Sequence, residues 1–209
     1  MSMKRLKSRS TAGVLGAVAV AVLTSACAPL LLGGAMVGGS LVAVDRRTAG
    51  TQLEDETIEF KAAARSRELS PAGHINQTSY NRMLLITGEV PSEVDRNLLA
   101  QQLARVESVR SVVNELAVMG NTSLTARSND TIISAKVKAS FVDAKDLQAT
   151  AVKVVTERGT VFLMGRVTER EANRAADLAR GVSGVQKVVR VFEMVSEAEL
   201  AKMQPAAPK

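Results

Sequence analysis

From residue 54 onward the chain carries the same succession of apolar and polar positions twice. In each copy, apolar residues at helical spacing give way to an alternating run, a short break and a second alternating run. Another helical stretch and a final alternating run follow. The first copy predicts a helix over residues 57–67, a strand over 75–80, a second strand ending at Gly88, a helix starting at Ser92 and a strand over 109–119. The second copy predicts a helix over 131–142, a strand over 152–157, a second strand ending at Gly165, a helix starting at Thr168 and a strand over 185–195. Three blocks align in the same order at offsets of 74 to 77 residues: Thr57-Ile58 with Thr131-Ile132, residues 83–90 with 160–167, and Val109 and Val112-Val113 with Val185 and Val188-Val189.

Local signals agree with this segmentation. Asp55 and Asp130 precede the first apolar residues of their helices and are predicted as N-caps. Thr168-x-x-Glu171 reads as a capping box and Ser92-x-x-Asp95 as a weaker one. Gly159 supplies the positive φ that a tight hairpin needs, and in the first copy Asn81 is the expected left-handed residue, ahead of Arg82. The unit is therefore αββαβ. Its hairpin makes the first two strands antiparallel, and its helical crossover makes the second and third parallel. The fold class is α+β: two tandem units, each a three-stranded mixed sheet packed against two helices. In the last central strand Val161 and Leu163 point one way and Phe162 and Met164 the other. One face meets the helices; the other packs on the sister unit or a partner, or is covered by the linker or the tail.

The N-terminus has a different pattern. Lys4, Arg5, Lys7 and Arg9 form a positive zone, residues 12–23 an apolar one, and Ser25-Ala26-Cys27 ends it in small residues and a cysteine. This is the layout of a cleavable signal peptide over residues 1–26. Residues 23–27 resemble the bacterial lipobox, which implies lipid attachment at Cys27. Ala28, in place of an aspartate after the cysteine, implies export to the outer membrane, facing the periplasm. Residues 27–53, with Gly33-Gly34 and Gly38-Gly39, read as a lipidated, glycine-rich tether. The first unit spans 54–120, a polar linker 121–128, the second unit 129–195 and a C-terminal tail 196–209.

Composition narrows the function. Four of the six net positive charges lie before residue 28 with no acid among them, so the rest of the chain carries +2. That argues against a nucleic-acid partner, as does an aromatic content of 2%. The single Cys and single His, Cys27 and His74, are too few for a zinc site built from those residue types. His74 is expected in an exposed loop. No nucleophile–base pair can be assembled around it. No catalysis, cofactor or metal is expected.

The segments Ser128-Asn129-Asp130-Thr131, 159–165, 167–172 and Val182-Ser183-Gly184-Val185 resemble the BON domain of bacterial envelope proteins, over about residues 54–195. With the lipobox, the arrangement is similar to the dual-BON outer-membrane lipoproteins. The resemblance implies binding of anionic phospholipid through the second domain, a role in outer-membrane integrity and no catalysis. The other reading is a periplasmic adaptor for outer-membrane assembly or cell-wall remodelling proteins.

The helix over 131–142 is where physics and resemblance meet. Ile133, Val137 and Phe141 form one apolar row, and Ile132, Ala135, Ala139 and Val142 another. Together they make an apolar arc wider than a single buried face needs, and Lys136 and Lys138 lie in the same helix. Residues 128–145 carry +1, whereas 54–68 carry −2. On pattern alone an ordinary core helix with solvated lysines is favoured; the resemblance turns the balance toward lipid. The expected phospholipid-binding residues are Ile132, Ile133, Lys136, Val137, Lys138 and Phe141. Ile132 stands where relatives of this type tend to carry an aromatic residue.

Overall fold

A computed structural model describes residues 45–203, all of which fall in one compact unit. The signal peptide, Cys27, the glycine pairs and residues 204–209 lie outside the described residues. The first repeat runs α1 (Ala49–Leu69), β1 (His74–Tyr80), β2 (Met83–Val90), α2 (Glu93–Leu103), β3 (Ser111–Val118). The second runs α3 (Leu124–Asp143), a 3-10 turn (Ala149–Ala151), β4 (Val152–Glu157), β5 (Thr160–Val167), α4 (Glu169–Arg180), β6 (Lys187–Met194). A short α5 (Glu197–Met203) follows. In each three-stranded sheet the middle strand, β2 or β5, pairs antiparallel with the strand before it and parallel with the strand after the crossover helix. The α+β tandem architecture is the one the apolar pattern predicts.

The two leading helices start earlier than predicted, and the reason lies in two aspartates. Thr48 and Ser123 cap α1 and α3, accepting from the N–H groups of Thr51 and Ala126. Asp55 and Asp130 are buried inside these helices and cap a different element. The Asp130 carboxylate accepts the N–H groups of Arg158 and Gly159, each at 2.8 Å. Asp55 accepts those of Asn81 at 2.8 Å and Arg82 at 2.7 Å. All four donors have positive φ, between 49° and 68°. Each carboxylate thus holds a two-residue hairpin turn in the left-handed conformation it needs, including at Arg82 and Arg158, where a side chain makes that conformation unfavourable. The linker shrinks accordingly: of residues 121–128, those from Leu124 are already helical. Residues 45–53, assigned to the tether, and part of the 196–209 tail are also structured. The tail supplies α5, capped by Ser196 and Glu199.

Both helices of each repeat pack on one face of its sheet. In the second repeat Val161, Leu163 and Val167 of β5 meet Ile133, Val137 and Phe141 of α3 and Ala172, Ala175, Ala176 and Ala179 of α4. In the first, Leu84, Ile86 and Val90 of β2 meet Ile58 and Ala62 of α1 and Leu99 and Leu103 of α2. Gly165 lets two strands close. A Cβ there would sit 2.3 Å from the carbonyl oxygen of Ala151, the last residue of the 3-10 turn that leads into β4, so the glycine lets β5 approach the entry of its neighbouring strand.

The opposite faces of the two sheets meet each other. Tyr80 and Leu85 of the first repeat and Phe162, Met164 and Val191 of the second form one buried cluster, flanked by Met83, Val113, Val155 and Val189. Of the four ways to cover the Phe162–Met164 face, the structure uses the sister repeat. Each large side chain withdrawn from water there contributes about 1.5–3 kcal/mol.

The aspartate clamps make a specific demand on stability. Asp130→Ala leaves two turn N–H groups without their acceptor, and urea unfolding should show a loss of about 1–3 kcal/mol. Asp143→Ala, at the exposed end of α3, should stay within about 0.5 kcal/mol of the parent.

Candidate functional site

Helix α3 presents two different faces. Ile133, Val137 and Phe141 point into the core of the second repeat and are buried. Three of the six residues expected to touch lipid therefore hold the helix on its sheet and are unavailable to a membrane; they belong to the row whose spacing matches the sheet contact. Ile132 is 52% exposed, and Lys136 and Lys138 are also exposed. Ala135, Ala139 and Val142, the rest of the second apolar row, are exposed too, Val142 at 73%. Leu124, 78% exposed, extends that row toward the N-terminus of the helix. Its position falls in the segment that the apolar pattern assigns to the linker, so the sequence alone gives no signal for it. At about 100° per residue, Leu124, Ile132, Ala135, Ala139 and Val142 occupy an arc of about 80°, with Lys136 on one side and Lys138 on the other. The exposed face is a largely apolar stripe, interrupted by Ser128 and bordered by Asp143 as well as by the two lysines, a geometry suited to lying along an anionic interface.

A second constellation sits at one edge of the seam between the sheets. Glu89 of β2 is 0% exposed, and Arg158 donates to its Oε1 at 2.7 Å. Thr122 donates to its Oε2 through both N–H and hydroxyl, and His74 Nδ1 lies 3.2 Å from the same oxygen. Burial pushes Glu89 up, but these hydrogen bonds, that of Arg158 foremost, outweigh it and hold its carboxyl below the ordinary range. Glu157 of β4, 3% exposed, accepts from Asn76 of the other repeat at 2.8 Å. Burial raises its pKa, the Asn76 hydrogen bond offsets this in part, and the charge of Glu89 raises it further. His74 is thus not a loop residue: it opens β1, half-buried against a carboxylate.

At the other edges, further polar groups join the repeats. Glu193 of β6 receives Asn81 at 2.7 Å and Arg110 from the first repeat, and Arg166 at 3.0 Å from its own. Lys153 of β4 donates to Glu59 of α1 at 2.8 Å. The segment before α1 acts as a strap. Arg46 is buried against the second repeat, donating to both oxygens of Glu171 at 2.7 and 2.8 Å and to the carbonyl of Arg166 at 2.7 Å. Arg47 turns to the first repeat, pairs with Asp55 at 2.8 Å and lies 4.4 Å from the centre of the Tyr80 ring. Glu171 closes the capping box of α4 as its motif predicts; its arginine partner, separated by more than a hundred residues, carries no local sequence signal. Glu89 with Arg158 and Asn76 with Glu157, 69 and 81 residues apart, likewise carry no local signal.

The family follows from comparison with known sequences. The BON domain model matches residues 55–120 and again 129–196. The chain belongs to the BON domain family. Its similarity to the outer membrane lipoprotein DolP of Haemophilus influenzae is 40% identity over 176 residues, 82% of this chain and 90% of that protein. The 21 kDa hemolysin of Actinobacillus pleuropneumoniae is 34% identical over 155 residues, 73% of this chain and 80% of that one. The osmotically-inducible protein Y of Escherichia coli is 39% identical over 61 residues, 29% of this chain. The BON chain described here is of the dual-BON outer-membrane lipoprotein type, and among the described residues no helix is long and apolar enough to cross a membrane.

The buried carboxylate of Glu157 gives a pH-dependent prediction for this BON pair. Its folded-state pKa is raised, so the folded form loses stability as pH rises above the ordinary carboxylate value of 4.5, where the unfolded chain ionises more readily. Glu157→Gln should therefore raise the melting temperature at about pH 7.5 in chelator-containing buffer. The advantage should vanish below pH 4.5, where both folded and unfolded wild-type chains are protonated. Thermal melts of the two proteins across this range check it.

Proposed function

We propose that this BON lipoprotein is held at the periplasmic face of the outer membrane by lipid on Cys27, recognises anionic phospholipid through the exposed face of α3, and so supports outer-membrane integrity. The observation that carries the reading is the stripe of Leu124, Ile132, Ala135, Ala139 and Val142, open to solvent between Lys136 and Lys138. A surface helix with apolar residues on its outer side has no packing reason for them, and an interface takes them up. Each lysine near an anionic surface adds about 1 kcal/mol, which is weak alone. Attachment at Cys27 turns this into an encounter at high effective concentration, where weak contacts suffice. The aliphatic Ile132 contributes apolar area without the interfacial preference of an aromatic ring.

A protein-binding adaptor is the second reading, and it draws on the first domain. Phe60 of α1 and Val94 of α2 are 74% and 75% exposed, on helices carrying acidic groups that would disfavour an anionic membrane. Liposome flotation separates the two. The soluble chain that starts after Cys27 should float with vesicles rich in phosphatidylglycerol and not with neutral phosphatidylcholine vesicles. The Lys136→Glu/Lys138→Glu double variant should stay at the bottom of the gradient, and Ile132→Ser should float less. Val94→Ser should behave as the parent. Failure of the parent to float at low salt and high lipid would confine the membrane role to the acyl anchor and favour the adaptor.

A further inference from the structure

The cluster at the edge of the seam brings together a donor set in which the exposed face of α3 has no part. His74 and Glu89 come from the first domain and Glu157 from the second, and one ligand atom from each lies within 4.8 Å of the others. Both carboxylates are buried, while His74 keeps one side open. Among the described residues, one guanidinium is ion-paired with the two facing carboxylates, that of Arg158 on Glu89, and the donor to Glu157 is the neutral amide of Asn76. Like charges withdrawn from water at this separation disfavour each other unless a cation or a proton intervenes. Beside them a cleft of about 260 Å³ is lined by His74, Asn76, Arg127, Asp130, Thr131 and Glu157, among others; Arg127 reaches toward Thr122 at 3.4 Å, and the cleft leaves room for an ion to enter with water.

We propose that His74, Glu89 and Glu157 bind a divalent transition ion of the zinc class across the domain seam, with water from the cleft completing its coordination. An imidazole nitrogen and two carboxylate oxygens form a borderline donor set suited to such an ion. Two ligand atoms on a tetrahedral ion with bonds of about 2.1 Å stand about 3.4 Å apart. His74 Nδ1 and the Glu89 oxygen facing it are already 3.2 Å apart, so side-chain rotation of Glu157 is the main adjustment needed. Glu89 is oriented from behind by Arg158 and Thr122, and Glu157 by Asn76, the kind of outer support that metal ligands require. Counting only histidine and cysteine missed this arrangement because two of its ligands are carboxylates brought together by the pairing of the domains. A bound ion would tie β1 and β2 of the first domain to β4 of the second, and this is independent of whether α3 meets lipid.

The test uses the full-length lipoprotein in mild detergent, free of any affinity tag and stripped with EDTA. Zinc is titrated calorimetrically, and cobalt serves as a spectroscopic probe. With one histidine in the chain, any imidazole contribution comes from His74. The expected result is saturable binding of one ion per chain, a rise in melting temperature with zinc, and a visible cobalt band. His74→Gln, at a half-open position, and Glu157→Gln should each weaken binding by about 10-fold or more and lose the band; circular dichroism verifies that each is folded. Absence of saturable binding up to about millimolar zinc, a concentration that would reveal even weak sites, overturns the proposal. So does binding by both variants as tight as that of the parent, which would place the ion elsewhere.

Discussion

A three-stranded sheet with both of its helices on one side leaves the other side bare, and in this chain that other side is apolar. Phe162 and Met164 alternate with Val161 and Leu163, so the strand that builds the helix-side core necessarily builds a second hydrophobic face. The same holds in the first repeat, where Leu85 is turned away from the helices by the pleat that turns Leu84 and Ile86 toward them. Duplication of the unit solves both problems at once, because each copy supplies the cover that the other lacks. The shared cluster is the constraint from which the remaining features follow.

One consequence is the ring of polar groups around the seam. Backbone and side-chain polar groups at the rim are brought out of water when the faces close, and they need partners. Glu89, Glu157 and Glu193 find theirs across the domain boundary. The strap adds a direct link to the chain's N-terminal side: Arg46 and Arg47, neighbours in sequence, hold different domains. Residues 46 and 47 therefore sit at the boundary between the two domains. With the seam occupied, α3 has only its sheet-facing row committed to the fold, and its outer stripe is left for another role. Buried charge pairs such as Arg46–Glu171 add little net stability against an apolar alternative, but removing one partner leaves the other stranded, so they favour this one arrangement of the domains.

Much of this was legible in the chain. Apolar periodicity and the repeated blocks identify every strand among the described residues and the αββαβ order within each repeat, though not α5 in the tail, since strand alternation and hairpin chemistry are local. Solvated positions for Lys136 and Lys138 are legible in the sequence, but periodicity alone does not say which of the two apolar rows, that of Ile132 or that of Ile133, is buried; that depends on how the helix lies on its sheet, which puts Ile133, Val137 and Phe141 inside. Asp55 and Asp130 differ from their expected role as helix caps for a physical reason. An aspartate at the boundary between polar and apolar residues looks like a helix cap, and its actual targets, hairpin amides about twenty-six to twenty-nine residues away, become neighbours only after folding. The contacts of His74, Glu89, Glu157 and Arg46 are of the same kind: each joins residues with no local relationship, so no window of sequence contains the signal.

The central claim is that the bare faces of the two sheets make the BON pair a single body. Residual dipolar couplings of backbone amides, measured on the soluble chain in weakly aligned solution, test this directly. The account predicts that couplings from β1–β3 and from β4–β6 fit one alignment tensor in the arrangement described here. Two distinct tensors, with the domains reorienting independently, would contradict it.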